Sequence, residues 1–135
     1  FDDAVNEVIH KCGVKDLINR NFNTLSGGEQ RRIHFARTLL QLWRPSNSDD
    51  PKYLFLDEPT AHLDFESIRF IEAQIIAARK SGTSIVMTSH NRTQAERLAE
   101  HVIFMENGKI VEMAPAKTFF SSPQTKAAKT YLKHY

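Results

Sequence analysis

Cysteine is almost absent from this chain: Cys12 stands alone among 135 residues. A single thiol excludes an internal disulfide and fits a reducing compartment, and its helical context reads as a small buried hydrophobe. No apolar run approaches the ~18 residues needed to cross a bilayer, and no signal peptide is visible. The two signs of charge nearly balance, with 18 Lys and Arg against 16 Asp and Glu. A net charge of +2 is too mild to argue by itself for a nucleic-acid surface. Gly and Pro number only 5 each, and with 41% hydrophobic and 25% charged residues the composition is that of a single globular domain with a real core. The first residue is Phe rather than Met and the opening residues read as mid-helix, so the sequence reads as a piece of a longer protein.

Periodicity supplies the elements. Ala4, Val5, Val8, Ile9 and Cys12 recur at helical spacing, with Gly13 as the stop. Val14–Ile18 reads as a short helical turn and Asn21–Thr24 as a polar loop. Ser26 is a good N-cap with Glu29 completing a capping box, followed by an apolar stripe of Ile33, Ala36, Leu39, Leu40 and Trp43. Arg44–Pro51 is loop-like. "YLFL" (Tyr53–Leu56) and "SIVMTS" (Ser84–Ser89) are short apolar runs expected of strands buried on both faces. Between them Phe65–Lys80 is an amphipathic helix with Ile68, Ile71, Ile75 and Ile76 inward. Arg92–Glu100 reads as a short helix and "HVIFME" as a third strand. Asn107-Gly108 is a two-residue hairpin turn leading into "KIVEM". Phe119-Phe120 closes a small helix, and residues 121–135 read as a terminal helix. This order argues α/β with a mainly parallel sheet.

Three stretches carry chemistry. "LSGGEQ" sets Gly27 and Gly28 at a strong helix start, where each glycine costs about 1 kcal/mol relative to alanine. A close approach to the backbone, such as an anion at the helix N-terminus, would account for them. Asp57 and Glu58 follow the first strand, at the end where α/β sheets bind ligands. One of these carboxylates could hold magnesium, and the other could take a proton from, or orient, an attacking water. His90 stands just past the second strand, able to bond a phosphate or a water through either ring nitrogen. Asp64 reads as the N-cap of the following helix and as a group able to reach a neighbouring subunit. No histidine pair shows metal-ligand spacing beside carboxylates, so magnesium is expected only with nucleotide.

Taken together, "LSGGEQ", "YLFLDEPTAHLD" and "SIVMTSH" resemble the ATP-binding-cassette (ABC) ATPase family, at nearly equal spacing along the chain. The resemblance implies a P-loop NTPase-like, mainly parallel sheet with flanking helices, the C-terminal half of an ABC ATPase domain. Residues of about 1–43 would be the remainder of the helical subdomain and the signature helix. Those of about 52–135 would be the C-terminal part of the catalytic core, ending in a β-hairpin and helix. It implies ATP and Mg2+ as cofactors and a head-to-tail dimer of ATPase subunits, each ATP lying between one subunit's phosphate loop and the other's signature. Ser26, Gly27, Gly28, Glu29 and Gln30 would then face the partner's γ-phosphate. Asp57 would support magnesium through water, Glu58 would polarise the attacking water, His90 would bond the γ-phosphate, and Asp64 would link the two sites. Partners would be transmembrane permease subunits and, indirectly, a substrate-binding protein, with no nucleic acid, at the cytoplasmic face of the inner membrane.

The phosphate loop G-x-x-x-x-G-K-[ST] that the family needs does not occur in these residues. The chain alone is therefore expected to be inactive. "RNFNTLSGGEQRRIHFARTLLQLW" with the insertion "LWRPSNSDDPK" is similar to ATPase subunits of hemin importers. The tail from "SHNRTQAERLAEH" onward is similar to importers of oxyanions such as tungstate or phosphate, and of polar amino acids. Ala61-His62 departs from the commoner pair in the family's D-loop, while Asp64 is kept. Two competing readings are a soluble ABC protein acting on nucleic acid or ribosomes, against which the absence of heptads and of a basic stripe counts, and an interaction module without chemistry.

Overall fold

The computed structural model describes residues 2–42 and 50–134, which gather into two compact units, one ending at Thr88 and one starting at Ser89. Trp43 of the expected stripe and most of the expected 44–51 loop lie outside the described residues.

The first unit runs through helix α1 (Asp2–Lys11), a 3-10 turn (Lys15–Leu17), a second 3-10 turn (Phe22–Thr24), α2 (Gly27–Gln41), strand β1 (Lys52–Asp57), α3 (Phe65–Lys80) and β2 (Thr83–Thr88). The second 3-10 turn replaces the loop expected over Asn21–Thr24. Its cause is local: Asn21 Oδ1 accepts from the Asn23 N–H at 3.0 Å, and the Thr24 hydroxyl donates to the Asn21 carbonyl at 2.7 Å. Two apolar clusters share α2. Ala36 packs with Cys12, Val14, Leu17 and Leu25, whereas Phe35 packs with Ile71 and Ile75 of α3, and Leu39 joins both. An apolar stripe drawn through Ile33 and Ala36 alone misses Phe35, because α2 is covered on two sides.

β1 and β2 pair in parallel, with Leu54 opposite Ile85 and Phe55 opposite Val86. α3 crosses between them and packs on Leu56, Ile85 and Met87. The expectation of burial on both faces fails for these two strands. Leu54 is 3% exposed, while Tyr53, Phe55 and Val86 on the opposite face are 60%, 73% and 54% exposed. α3 covers one face only, and side chains alternate across a strand. Ile71 and Ile75 are buried as expected; Ile68 and Ile76 are half-buried.

The second unit contains α4 (Arg92–Leu98), β3 (His101–Glu106), β4 (Lys109–Pro115), α5 (Ala116–Ser121) and α6 (Lys126–His134). α4 stops two residues short of Glu100, because Ala99 turns extended at ψ 140° and closes the last turn onto the Ala95 carbonyl. α6 starts at Lys126 rather than near Ser121, with the Thr125 hydroxyl accepting from the Ala128 N–H at 3.2 Å. β3 and β4 form the expected antiparallel hairpin. Asn107 and Gly108 both take positive φ, 50° and 74°, as a type I′ turn requires. One hairpin face carries Phe104, whose ring meets Phe119 at 5.7 Å and Tyr131 at 5.3 Å between centroids. Glu112, 8% exposed, reaches back to the segment before α6, accepting from the Gln124 and Thr125 N–H groups at 2.9 Å each. Those N–H donors hold its carboxyl below the usual range.

The fold is thus mixed α/β, with a parallel pair around a crossover helix and an antiparallel hairpin backed by helices. No described helix is long and apolar enough to cross a membrane.

Candidate functional site

The start of α2 is built as its sequence predicts. Ser26 Oγ accepts from the Glu29 N–H at 3.3 Å and Glu29 Oε2 accepts from the Ser26 N–H at 2.8 Å, closing the capping box. Arg20 donates to the other carboxylate oxygen of Glu29 at 3.2 Å. The Ser26 N–H, first among these donors, holds the Glu29 carboxyl below its ordinary value. The Gln30 side chain turns back to the preceding segment and donates to the carbonyls of Phe22 at 3.2 Å and Leu25 at 3.1 Å. Because these groups are occupied locally, an incoming anion would meet the amides of Gly27 and Gly28.

The two glycines are not equivalent. A Cβ at Gly27 would have nothing within 4 Å, whereas one at Gly28 would lie 3.2 Å from both Asp64 Oδ2 and Ser67 Oγ. Gly28 therefore has a reason within its own chain: the start of α3 is pressed against it. Asp64 caps α3, accepting from the Ser67 N–H at 2.9 Å and the Ser67 hydroxyl at 2.7 Å. The Ser67 N–H is the main cause of its lowered pKa. Sequence reasoning found the Asp64 cap but not its contact with Gly28, nor Ser67, because neither spacing nor composition reports the packing of two helix starts.

At the carboxyl end of β1, Asp57 is the last strand residue and pairs in register with Thr88, the last residue of β2. The Thr88 hydroxyl donates to Asp57 Oδ1. The Thr88 hydroxyl oxygen itself accepts from the Glu58 N–H at 3.1 Å. Glu58 leaves the strand at φ 43°, a left-handed conformation uncommon for a residue with a side chain. Its carbonyl accepts from the Ala61 N–H at 3.1 Å, so its backbone is held on both sides. Thr88 went unnoticed in the sequence, where it is one more β-branched strand residue.

His90 lies in the second unit, two positions beyond the end of β2 along the chain, and is exposed. The chain around it is ordered by Ser89, whose hydroxyl donates to Gln94 Oε1 at 2.9 Å and accepts from the Asn91 N–H at 3.0 Å. Asn91 in turn caps α4 through the Gln94 N–H at 3.0 Å. The structure thus brings Ser26–Gln30 together with Asp64, and Asp57 and Glu58 together with Thr88.

The donor chemistry fits magnesium and a phosphate. A carboxylate oxygen at an exposed strand end is the kind of hard ligand magnesium takes. The open space over Gly27 leaves a helix start accessible to an anion.

Comparison with known proteins gives a consistent result. A family profile described as "ABC transporter" matches residues 1–61. The chain is 32% identical to the phosphate import ATP-binding protein PstB 2 of Natronomonas pharaonis, over 96% of this chain and 43% of that protein. It is 35% identical to the glutamine transport ATP-binding protein GlnQ of Geobacillus stearothermophilus, over 92% and 48% respectively. It is 33% identical to the hemin import ATP-binding protein HmuV of Rhodopseudomonas palustris, over 84% and 44%. A solved structure described as a metal-chelate type ABC transporter in an inward-facing conformation matches with a TM-score of 0.76 at 21% identity, covering 98% of this chain and 48% of that one. The chain spans about half the length of the curated relatives it matches.

Proposed function

We propose that this chain, a member of the ABC transporter family, is the C-terminal part of an importer's ATP-hydrolysing subunit. Residues of about 1–43 belong to the helical subdomain and signature helix in this reading, and those of about 52–135 to the catalytic core. The observation that carries it is the strand end at Asp57 and Glu58. Two carboxylates stand at adjacent positions, Asp57 closing the strand and hydrogen-bonded by the neighbouring strand, Glu58 just past it on a left-handed turn.

In this reading Asp57 holds magnesium through water, and the ion when bound neutralises charge on the transferring phosphate. Glu58 orients and polarises the attacking water. The amides of Gly27 and Gly28, within the Ser26–Gln30 helix start, face the γ-phosphate held by a second copy of the subunit. His90 bonds the γ-phosphate of the nucleotide held by its own subunit rather than by the partner, and Asp64 sits at the interface. The phosphate loop is contributed by residues other than these 135, so the chain alone is inactive. Permease subunits are direct partners, a substrate-binding protein is an indirect one, and the subunit lies peripherally on the cytoplasmic face of the membrane. The relatives' names span phosphate, glutamine and hemin. The reading therefore stops at solute import, with hemin, an oxyanion or a polar amino acid as the solutes to assay.

The test is ATP hydrolysis by the full-length polypeptide that carries this chain. Glu58→Gln should abolish turnover, by 100-fold or more on the scale of losing a positioned base, while nucleotide binding persists. Turnover by Glu58→Gln at the unmodified rate, or hydrolysis by the 135-residue chain alone, would refute the assignment.

A further inference from the structure

We propose that Thr88 is a positioning residue for the two acidic groups, its single hydroxyl setting both the rotamer of Asp57 and the backbone of Glu58. The inference rests on the reading of Asp57 and Glu58 given above. The Thr88 Oγ1 proton is donated to Asp57 Oδ1, and its lone pair accepts the Glu58 N–H at 3.1 Å. One atom therefore links a carboxylate on β1 to the backbone of the next residue, from the strand alongside. Parallel pairing places it there, since Asp57 and Thr88 are register partners.

The need for such a link follows from Glu58. At φ 43° its backbone is in a region that costs a residue with a Cβ energy and persists only where surrounding bonds over-determine it. Those bonds include the Ala61 N–H to its carbonyl and its own N–H to Thr88. Without the hydroxyl, the Glu58 amide loses the Thr88 acceptor and the strand end can relax toward an extended path. That motion would swing the Glu58 side chain. Asp57 would lose a charge-assisted bond at the same moment, freeing its carboxylate to rotate. Serine in place of Thr88 keeps the oxygen; valine keeps the shape and removes it.

The full-length polypeptide carrying this chain should be compared as wild type, Thr88→Val and Thr88→Ser. In the protein without nucleotide, hydrogen exchange at the Glu58 amide should accelerate about tenfold in Thr88→Val and return to the wild-type rate in Thr88→Ser. In turnover, Thr88→Val should lower kcat about tenfold with KM within about twofold, as expected for lost positioning rather than lost binding, and Thr88→Ser should recover kcat. Unchanged Glu58 exchange in Thr88→Val overturns the proposal, as does accelerated exchange with unchanged kcat. Should Thr88→Val unfold, Thr88→Ala carries the same exchange and kcat criteria. Failure of the underlying reading is seen separately: Glu58→Gln would then turn over ATP normally, while the exchange arm still reports on the hydroxyl link.

Discussion

Gly27 and Gly28 occupy the first two positions of α2 and look interchangeable in the sequence, yet their surroundings predict opposite responses to alanine. At Gly27 an added methyl meets nothing within 4 Å. Gly27→Ala should then show only the gain in helix preference, at most about 1 kcal/mol and less in a first turn. At Gly28 the same methyl lies 3.2 Å from Asp64 Oδ2 and Ser67 Oγ, so one or both must move by a few tenths of an ångström. They are not free to move, because Asp64 and Ser67 form the cap of α3 at 2.9 and 2.7 Å. Loosening such a cap costs about 0.5–2 kcal/mol. The two alanine variants should therefore differ by about 1–2 kcal/mol, a few degrees in Tm, with Gly28→Ala the less stable. Thermal unfolding without nucleotide measures this directly. A cycle with Ser67→Ala should show coupling of about 0.5 kcal/mol or more, since the crowding Oγ is gone in that background. If Gly28→Ala proves as stable as Gly27→Ala, the packing argument fails, and phosphate approach alone would have to explain both glycines.

Three further outcomes follow from the same structure. Glu112 has a folded-state pKa below its ordinary 4.5 because the Gln124 and Thr125 N–H groups bond its charged form. Its contribution is therefore fully present above pH ~4.5 and fades as pH falls through the lower folded value. The Tm gap between wild type and Glu112→Gln should close on acidification, and a gap that widens below pH 4 would contradict the sign. Cys12, fully buried, has its thiol pushed up to about 11 by desolvation. Iodoacetamide at pH 8 should label it only in denaturant, and rapid native labelling would refute its burial. In the 135-residue chain, Phe55→Lys should change stability by no more than about 0.5 kcal/mol in urea unfolding and reduce light scattering, since Phe55 is 73% exposed. A loss above about 2 kcal/mol would mean that its face is packed.

Most elements were legible because their signals are local. The capping box at Ser26, the Asp64 cap, the Asn107-Gly108 turn and the end of α3 at Lys80 all depend on residues a few positions apart. The misreadings share the opposite cause. "YLFL" reads as buried on both faces because its residues are uniformly apolar, yet what covers a strand is decided elsewhere in the chain, and α3 reaches one face only. Phe35 escaped for a similar reason: α2 is gripped by α1-side residues and by α3 at once, so no single stripe describes it. The 3-10 turn at Phe22–Thr24 is local, but Asn and Thr side chains bonding their own backbone compete evenly between loop and turn.

The candidate site divides along the same line. Asp57 and Glu58 could be picked out because they follow a strand at its carboxyl end, where α/β sheets bind ligands. What sets their geometry is a threonine 31 residues away, and nothing about that residue is unusual in sequence. Its importance appears only once β1 and β2 are paired in parallel, for a register shift of one residue would turn the hydroxyl to the opposite face. The strand pairing and the left-handed Glu58 are then two parts of one device. The register delivers the hydroxyl, and the hydroxyl supplies an acceptor that helps the strained backbone persist. A substitution that slips the β1–β2 register should consequently lower kcat at least as much as Thr88→Val does, although no carboxylate is touched.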